Sequence, residues 1–285
     1  MSINPKEILV KTIIKPLLLV PFVLLALGAC SKKEEAKPAA SAPVAAAPAE
    51  LKVAIDPTYE PFTFKTADGK PTGFDVDMAN AICEQIKRQC VFVEQVWDSM
   101  IPGLTAQKYD VIISSMSITD DRMKEVDFSD KYYNTPSRIV LKKTVKYTDP
   151  ASIKGKKIGV LKGSTQEAYA LGELKPAGVV VNSYEAQDQV YLDLKAGRID
   201  GTVADFLEVS GGFLSKPEGA AFALMGPELR EPKYYGYGIG VAMRKGQDAL
   251  KADINTAIKT IRANGSYKAM NDKYFAKYNI DVYGE

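Results

Sequence analysis

The chain has 285 residues and no histidine, which removes Ser-His-Asp and Cys-His nucleophile pairs, HExxH zinc sites and histidine-based pH switching, while leaving enzymes built on carboxylates, lysine or tyrosine open. Three cysteines are too few for an all-cysteine zinc site or a disulfide-built scaffold. With 46% apolar and 25% charged residues the composition is that of an ordinary globular protein, long enough for one large domain or two smaller ones.

Lys6, Lys11 and Lys15 precede an apolar run from Leu17 to Leu27, broken only by Pro21. A basic start and a short apolar core read as an export signal, because a membrane-spanning helix needs about 20 apolar residues. The run ends in Leu27-Gly28-Ala29-Cys30, which resembles the lipobox of bacterial lipoproteins. That resemblance implies a signal peptide over residues 1–30, cut before Cys30, whose sulfur then carries diacylglycerol. Without this segment the basic count falls from 37 to 34 and the acidic count from 35 to 34. A formally neutral mature chain has no polycationic field to hold nucleic acid or an acidic membrane, so the lipid is its only expected membrane contact. Residues 31–50, SKKEEAKPAASAPVAAAPAE, have no apolar face, and their three prolines break any long helix. They read as a flexible tether spanning on the order of 25 Å.

From Leu51 the chain alternates short apolar runs with helical periods. Leu51–Ile55 reads as a strand ending at Asp56-Pro57, and Phe62 and Phe64 followed by Ala67-Asp68-Gly69-Lys70 predict a small hairpin. Asp75 to Lys87 carries Val76, Ala79, Ile82, Cys83 and Ile86 at helical spacing. Val91–Gln95 predicts a strand, Met100–Gln107 a short helix and Asp110–Ser114 a strand; beyond Val126 the pattern blurs until the strand Ser137–Leu141. The rhythm restarts with strand Lys157–Leu161, helix Thr165–Leu171, strand Val179–Asn182, helix Glu185–Ala196 and strand Gly201–Asp205. Tyr237–Ala242 predicts one more strand, and Asp248–Asn264 and Ser266–Tyr274 helices separated by a C-cap at Asn264-Gly265. Two α/β blocks with a strand and two helices left over predict two lobes and a chain that crosses between them.

Open α/β sheets bind ligands beyond the carboxyl ends of their strands, so chemistry is sought there. Thr119 is a good N-cap for a helix running toward Val126. Arg122 then occupies a first helical turn, where a cation is disfavoured and a capping box has Glu or Gln. Such a guanidinium either pairs with Asp120, Asp121 or Glu125 on a solvated face, or holds a carboxylate through paired hydrogen bonds with Ser114, Ser115 and Ser117 upstream. Leu161-Lys162-Gly163-Ser164-Thr165-Gln166 is a donor-rich strand–turn–helix junction without the GK[ST] ending of a P-loop, sized for a small anion. Asp56 and Asp205 end strands, as turn formers or as receptors for ammonium. Tyr59 and Trp97 either pack in the core or sandwich an aliphatic stem or cation. The set complements a zwitterion with a cationic side chain, and no metal or cofactor is called for.

Gly73-Phe74-Asp75-Val76-Asp77-Met78-Ala79, Ile112-Ile113-Ser114-Ser115-Met116-Ser117-Ile118-Thr119, Gly159 to Tyr169 and the closing Tyr274-Phe275 resemble the polar amino-acid solute-binding proteins of ABC importers (family 3), over residues 51–285. The likeness is greatest to the lysine/arginine/ornithine- and histidine-binding branch. It implies the two-lobed periplasmic-binding-protein fold (type II), each lobe a mixed α/β sheet flanked by helices, with two crossover strands as hinge. The expected organisation is lobe 1 over 51–135, lobe 2 over 136–232 and a return to lobe 1 over 233–285. The resemblance further implies that Arg122, helped by Thr165, clamps an α-carboxylate and that Asp205 and Ser117 take the α-ammonium. Tyr59 and Trp97 would stack on the side chain, Asp56 would receive a basic tip, and Ser114, Ser115, Leu161, Ser164 and Gln166 would line the pocket. Trp97 is larger than the residue common there, leaving arginine, lysine, ornithine, histidine and bulkier conjugates such as opines as ligands. Cys83 and Cys90 match a disulfide of that branch. The implied protein is a monomeric, lipid-anchored binding protein on the periplasmic or extracytoplasmic face that serves an inner-membrane ABC permease. The alternative is a cyclohexadienyl/arogenate dehydratase-like enzyme on the same fold, working through a protonated pocket acid. Since none of the expected ligand-binding groups titrates near neutrality unless strongly perturbed, binding of arginine or lysine is expected to vary little between about pH 6 and 8, and any dependence seen for histidine to come from the ligand.

Overall fold

A computed structural model describes residues 49–283. The expected signal peptide, Cys30 and nearly all of the expected tether therefore lie outside the described residues. Two five-stranded mixed sheets organise the described chain.

The first sheet begins with β1 (Glu50–Ile55), one residue earlier than read, followed by the hairpin β2 (Phe64–Lys65) and β3 (Pro71–Thr72). Helix α1 (Phe74–Gln85) leads to β4 (Gln89–Glu94), and a single tight turn at Trp97–Ser99 leads to α2 (Met100–Thr105). Then come β5 (Val111–Ile112), α3 (Asp120–Glu125) and β6 (Val126–Phe128). The chain returns to this sheet with β12 (Ala242–Arg244) and closes with α8 (Asp248–Ala263) and α9 (Ser266–Phe275). The order is β4-β1-β5-β12-β6, with β4 and β5 parallel to β1 and β12 antiparallel. Beyond the exposed Lys52, β1 is apolar on both faces because both are covered. Leu51, Val53 and Ile55 pack with Phe74, Met78 and Ile82 of α1 and with Ile254, Ile258 and Ile261 of α8, while Ala54 faces Met100 and Leu104 of α2.

The second sheet is formed by β7 (Ser137–Lys142), β8 (Lys157–Leu161), β9 (Val180–Tyr184), β10 (Gly201–Asp205) and β11 (Phe222–Leu229), in the order β11-β7-β10-β8-β9. Helices α4 (Thr165–Tyr169), α5 (Gln187–Lys195) and α6 (Phe206–Val209) cover it, and α7 (Pro232–Tyr235) lies on the return path. The chain thus crosses between the lobes twice, after β6 and after β11. The two crossings pair antiparallel at Tyr133 and Ile239.

Five elements differ from the periodicity. β6, α6 and α7 are too short to leave a repeat, and β11 is masked by Gly226-Pro227, where a bulge with Gly226 at φ 65° breaks the register. The strand expected over 237–242 begins only at Ala242. Before it, Gly236 (φ 70°) passes Ile118 so closely that an added Cβ would stand 1.9 Å from that carbonyl oxygen, and Gly238 has φ 108°. The backbone there is bent to pass the Ile118–Thr119 and Lys131–Tyr133 segments, and the ladder is interrupted. The cap expected at Asn264-Gly265 is present, with Gly265 at φ 85°. A disulfide joins Cys83 of α1 to Cys90 of β4. Among the described residues no helix is long and apolar enough to cross a membrane.

Candidate functional site

Every ligand-binding position inferred from the sequence lines one cavity: Asp56, Tyr59, Trp97, Ser114, Ser115, Ser117 and Arg122 from the first lobe, and Leu161, Ser164, Thr165, Gln166 and Asp205 from the second. The space between the lining atoms, mouth included, is about 620 Å³. That is a slot for one small molecule.

Arg122 decides what this slot can hold. Thr119 caps α3 by accepting a hydrogen bond from the Arg122 backbone N–H at 3.3 Å. The Arg122 side chain turns away from its own helix. Nη1 donates to the Ser117 carbonyl at 3.0 Å, Nη2 to the Gly163 carbonyl of the second lobe at 3.1 Å, and Cζ lies 5.3 Å from the Trp97 ring centre. The solvated-face alternative fails, because Asp121 pairs with Lys124 and Asp120 accepts from the Tyr237 hydroxyl. Arg122 forms no ion pair with a carboxylate among the described residues. Burial lowers its pKa to about 10, so it stays charged at neutrality. A guanidinium with spare donors at the wall of a closed slot has the chemistry to accept a carboxylate as a partner.

Two carboxylates oppose it in sign. Asp56, buried at the end of β1, accepts from the Thr58 backbone at 3.1 Å and the Thr58 hydroxyl at 2.8 Å, and its own N–H donates to Ser114 Oγ. Asp205 is the N-cap of α6, accepting from the N–H groups of Leu207 and Glu208 at 2.8 and 3.1 Å on Oδ1 and from the Thr135 hydroxyl on Oδ2. A carboxylate offers about four lone-pair sites, so three donors leave room for one more on Asp205. Burial raises the pKa of each acid to about 6, against the opposing pull of these hydrogen bonds. The premise of a flat pH profile therefore fails: two cavity acids titrate just below neutrality because the walls exclude water.

The hydroxyls divide their duties. Ser115, held at φ 56°, donates to Asp75 at 2.8 Å, and the Ser164 hydroxyl caps α4 through the Glu167 N–H at 3.0 Å. Gln166 Nε2 donates to Ser137 Oγ at 2.9 Å. Sequence reasoning missed Tyr133, Asn134, Thr135, Ser137, Tyr235, Gly238 and Ile239, which also line the cavity. Six of the seven lie on the two crossings and Ser137 opens β7, so the hinge itself forms part of the wall. No group of three or more potential metal ligands is gathered among the described residues.

Two α/β lobes, joined by paired crossings and meeting over a slot that carries one guanidinium and two carboxylates, define a solute-binding protein of the periplasmic type. Residues 51–277 match the bacterial extracellular solute-binding proteins, family 3, and the chain belongs to that family. It is 49% identical over 245 residues to the L-arginine-binding protein of Pseudomonas aeruginosa, covering 86% of this chain and 93% of that one. It is 42% identical over 246 residues to the histidine-binding periplasmic protein of Salmonella typhimurium, covering 86% and 94%. Among solved structures it is similar to an arginine-specific periplasmic binding protein of Salmonella typhimurium, with a TM-score of 0.75 and 34% identity over 80% of this chain and 99% of that one.

Proposed function

We propose that this chain is the extracytoplasmic substrate-binding lipoprotein of an amino-acid ABC importer, taking one basic L-amino acid between its lobes and delivering it to an inner-membrane permease. The observation that carries the reading is the charge of the slot: one guanidinium against two carboxylates. With both acids ionised the slot has net charge −1, which complements a zwitterion bearing a cationic side chain. Arg122 and Thr165 would hold the α-carboxylate, Asp205 and Ser117 the α-ammonium, and Asp56 the side-chain cation beyond Tyr59 and Trp97. Because Arg122 belongs to one lobe and Asp205 to the other, a bound amino acid completes the interface and favours the closed state. The relatives described above are named for arginine and histidine, which agrees with that charge.

Calorimetry of residues 49–285 against arginine, lysine, ornithine, histidine and glutamine tests the ligand class. Arginine or another cation should bind most tightly, and a preference for glutamine would overturn the role given to Asp56. Turnover of arogenate or prephenate would overturn the transport reading in favour of the dehydratase. Anchoring through Cys30, and the monomeric state, belong to the same proposal. Replacement of Cys30 by Ala should release the protein from the membrane fraction.

A further inference from the structure

Two ionic contacts join the lobes outside the cavity. At the turn after β8, Lys162 Nζ lies 2.9 Å from Asp98 Oδ2 of the first lobe and 3.0 Å from Glu185 Oε1 of its own lobe. The next residue, Gly163 (φ 72°), passes close enough that an added Cβ would sit 3.3 Å from Asp98 Cβ. The Gly163 carbonyl also accepts from Arg122 at 3.1 Å, so this one turn grips both an acid and the guanidinium of the slot. At a second place Lys216 Nζ lies 2.8 Å from Glu60 Oε2. There Gly211 and Gly212 let the second lobe close on the Pro61 ring and the Glu60 carbonyl, where added Cβ atoms would stand at 3.2 and 3.3 Å. None of Asp98, Lys162, Glu60 and Lys216 lines the cavity.

We propose that Lys162–Asp98 and Lys216–Glu60 are clasps that set how much of the ligand-free protein is closed, and so scale the affinity for every ligand by one common factor. Both pairs span the lobes, so both are lost on opening. Glu185 stays with Lys162 in either state and keeps its ammonium poised, which reduces the side-chain freedom lost on closing. Each pair is partly exposed and worth at most about fivefold in the closing equilibrium, which sets the size of the effect. An apparent dissociation constant equals the intrinsic one divided by the closed fraction, so loosening the clasps weakens all ligands alike. A group contacting the ligand would instead change their ranking.

The proposal rests on the cleft-binding function above, but its first readout needs no ligand. Small-angle X-ray scattering of the ligand-free Lys162→Met/Lys216→Met variant should give a larger radius of gyration than the parent. Calorimetry should show its Kd for arginine, lysine and histidine raised about 3- to 10-fold each, with the ranking kept. High salt should weaken binding by the parent and change the variant less. Exchanging the charges, Glu60→Lys with Lys216→Glu, should restore affinity relative to Lys216→Met alone. An unchanged radius, or a Kd change confined to one ligand, overturns the clasp. A changed radius in a protein that binds no amino acid would leave the clasp standing and sink the proposed function instead.

Discussion

Arginine affinity should collapse on mild acidification, although the protein has no histidine. Asp56 and Asp205 each have a pKa of about 6 in the ligand-free protein, because burial penalises the charged form more than the Thr58 and Thr135 hydrogen bonds restore it. A bound cation would lie against both and hold them ionised, so binding must first displace whatever protons they carry. Each acid then weakens binding by a factor of one plus the ratio of its protonated to ionised forms. At pH 7 the two together reduce affinity only about 1.2-fold, at pH 6 about 4-fold and at pH 5 about 120-fold. The loss between pH 7 and pH 5 is therefore about 100-fold, or about 2.7 kcal/mol at 1.36 kcal/mol per pKa unit. Calorimetry at fixed ionic strength, in buffers of different ionisation enthalpy, checks both the slope and its cause. Near pH 6 each acid is half protonated, and arginine should release about one proton per molecule bound. Asp56→Asn should leave a single titrating acid and reduce the loss over that range to about 10-fold. Affinity unchanged from pH 7 to 5 with no proton release would refute the reasoning, since acids near their ordinary pKa stay ionised throughout.

The same burial predicts the opposite trend for the ligand-free fold. Asp56 and Asp205 at about 6 and the fully buried Asp75 at about 7 bind protons in the native state that the unfolded chain has already lost. Stability therefore rises as pH falls from about 8 to about 5, and a falling thermal midpoint over that range would contradict it. Arg122→Lys keeps the charge but loses the fork that reaches Ser117 and Gly163; arginine affinity should drop at least ~10-fold by calorimetry. Replacing Cys83 and Cys90 together with serine should cost about 2.5 kcal/mol, because the bridge closes a short loop. That corresponds to a thermal midpoint roughly 5–10 °C lower, with affinity unchanged because neither cysteine lines the cavity. Gly236→Ala places a Cβ 1.9 Å from the Ile118 carbonyl oxygen at φ 70°. It should lower stability by roughly 2 kcal/mol or more and weaken arginine binding, both measurable on one purified sample.

What could be read in advance follows a physical line. Arg122 was legible because it broke a local rule: a helix start capped by Thr119 has no use for a cation, and the side chain duly leaves its helix for Ser117 and Gly163. Asp56 and Asp205 were legible because sheet topology sends ligand chemistry to strand ends. Thr135 was not legible, since its role depends on the Asp205 carboxylate, which lies far along the chain, and its own segment shows no period. The crossings as a whole escape pattern reading for that reason: they touch the sheets through single bridges at Tyr133 and Ile239 rather than through ladders. Asp75 escaped too. An acid in the first turn of a helix reads as solvated, yet it is fully buried and receives the Tyr132 and Ser115 hydroxyls at 2.8 Å each.

Asp75 also ties the slot to the first lobe's core. Ser115 lines the cavity while its hydroxyl points back to Asp75, and its left-handed backbone is what turns it that way. A non-glycine residue at positive φ is strained, and here a hydrogen bond to a buried acid offsets the strain. The serine run after β5 therefore has two functions. Ser114 and Ser117 serve the slot, by accepting from Asp56 N–H and from Arg122 Nη1 respectively, and Ser115 anchors the loop that carries them. The arrangement explains why a cluster of hydroxyls precedes Arg122: the guanidinium is placed by its neighbours' backbone, and that backbone is placed by an acid buried one layer deeper.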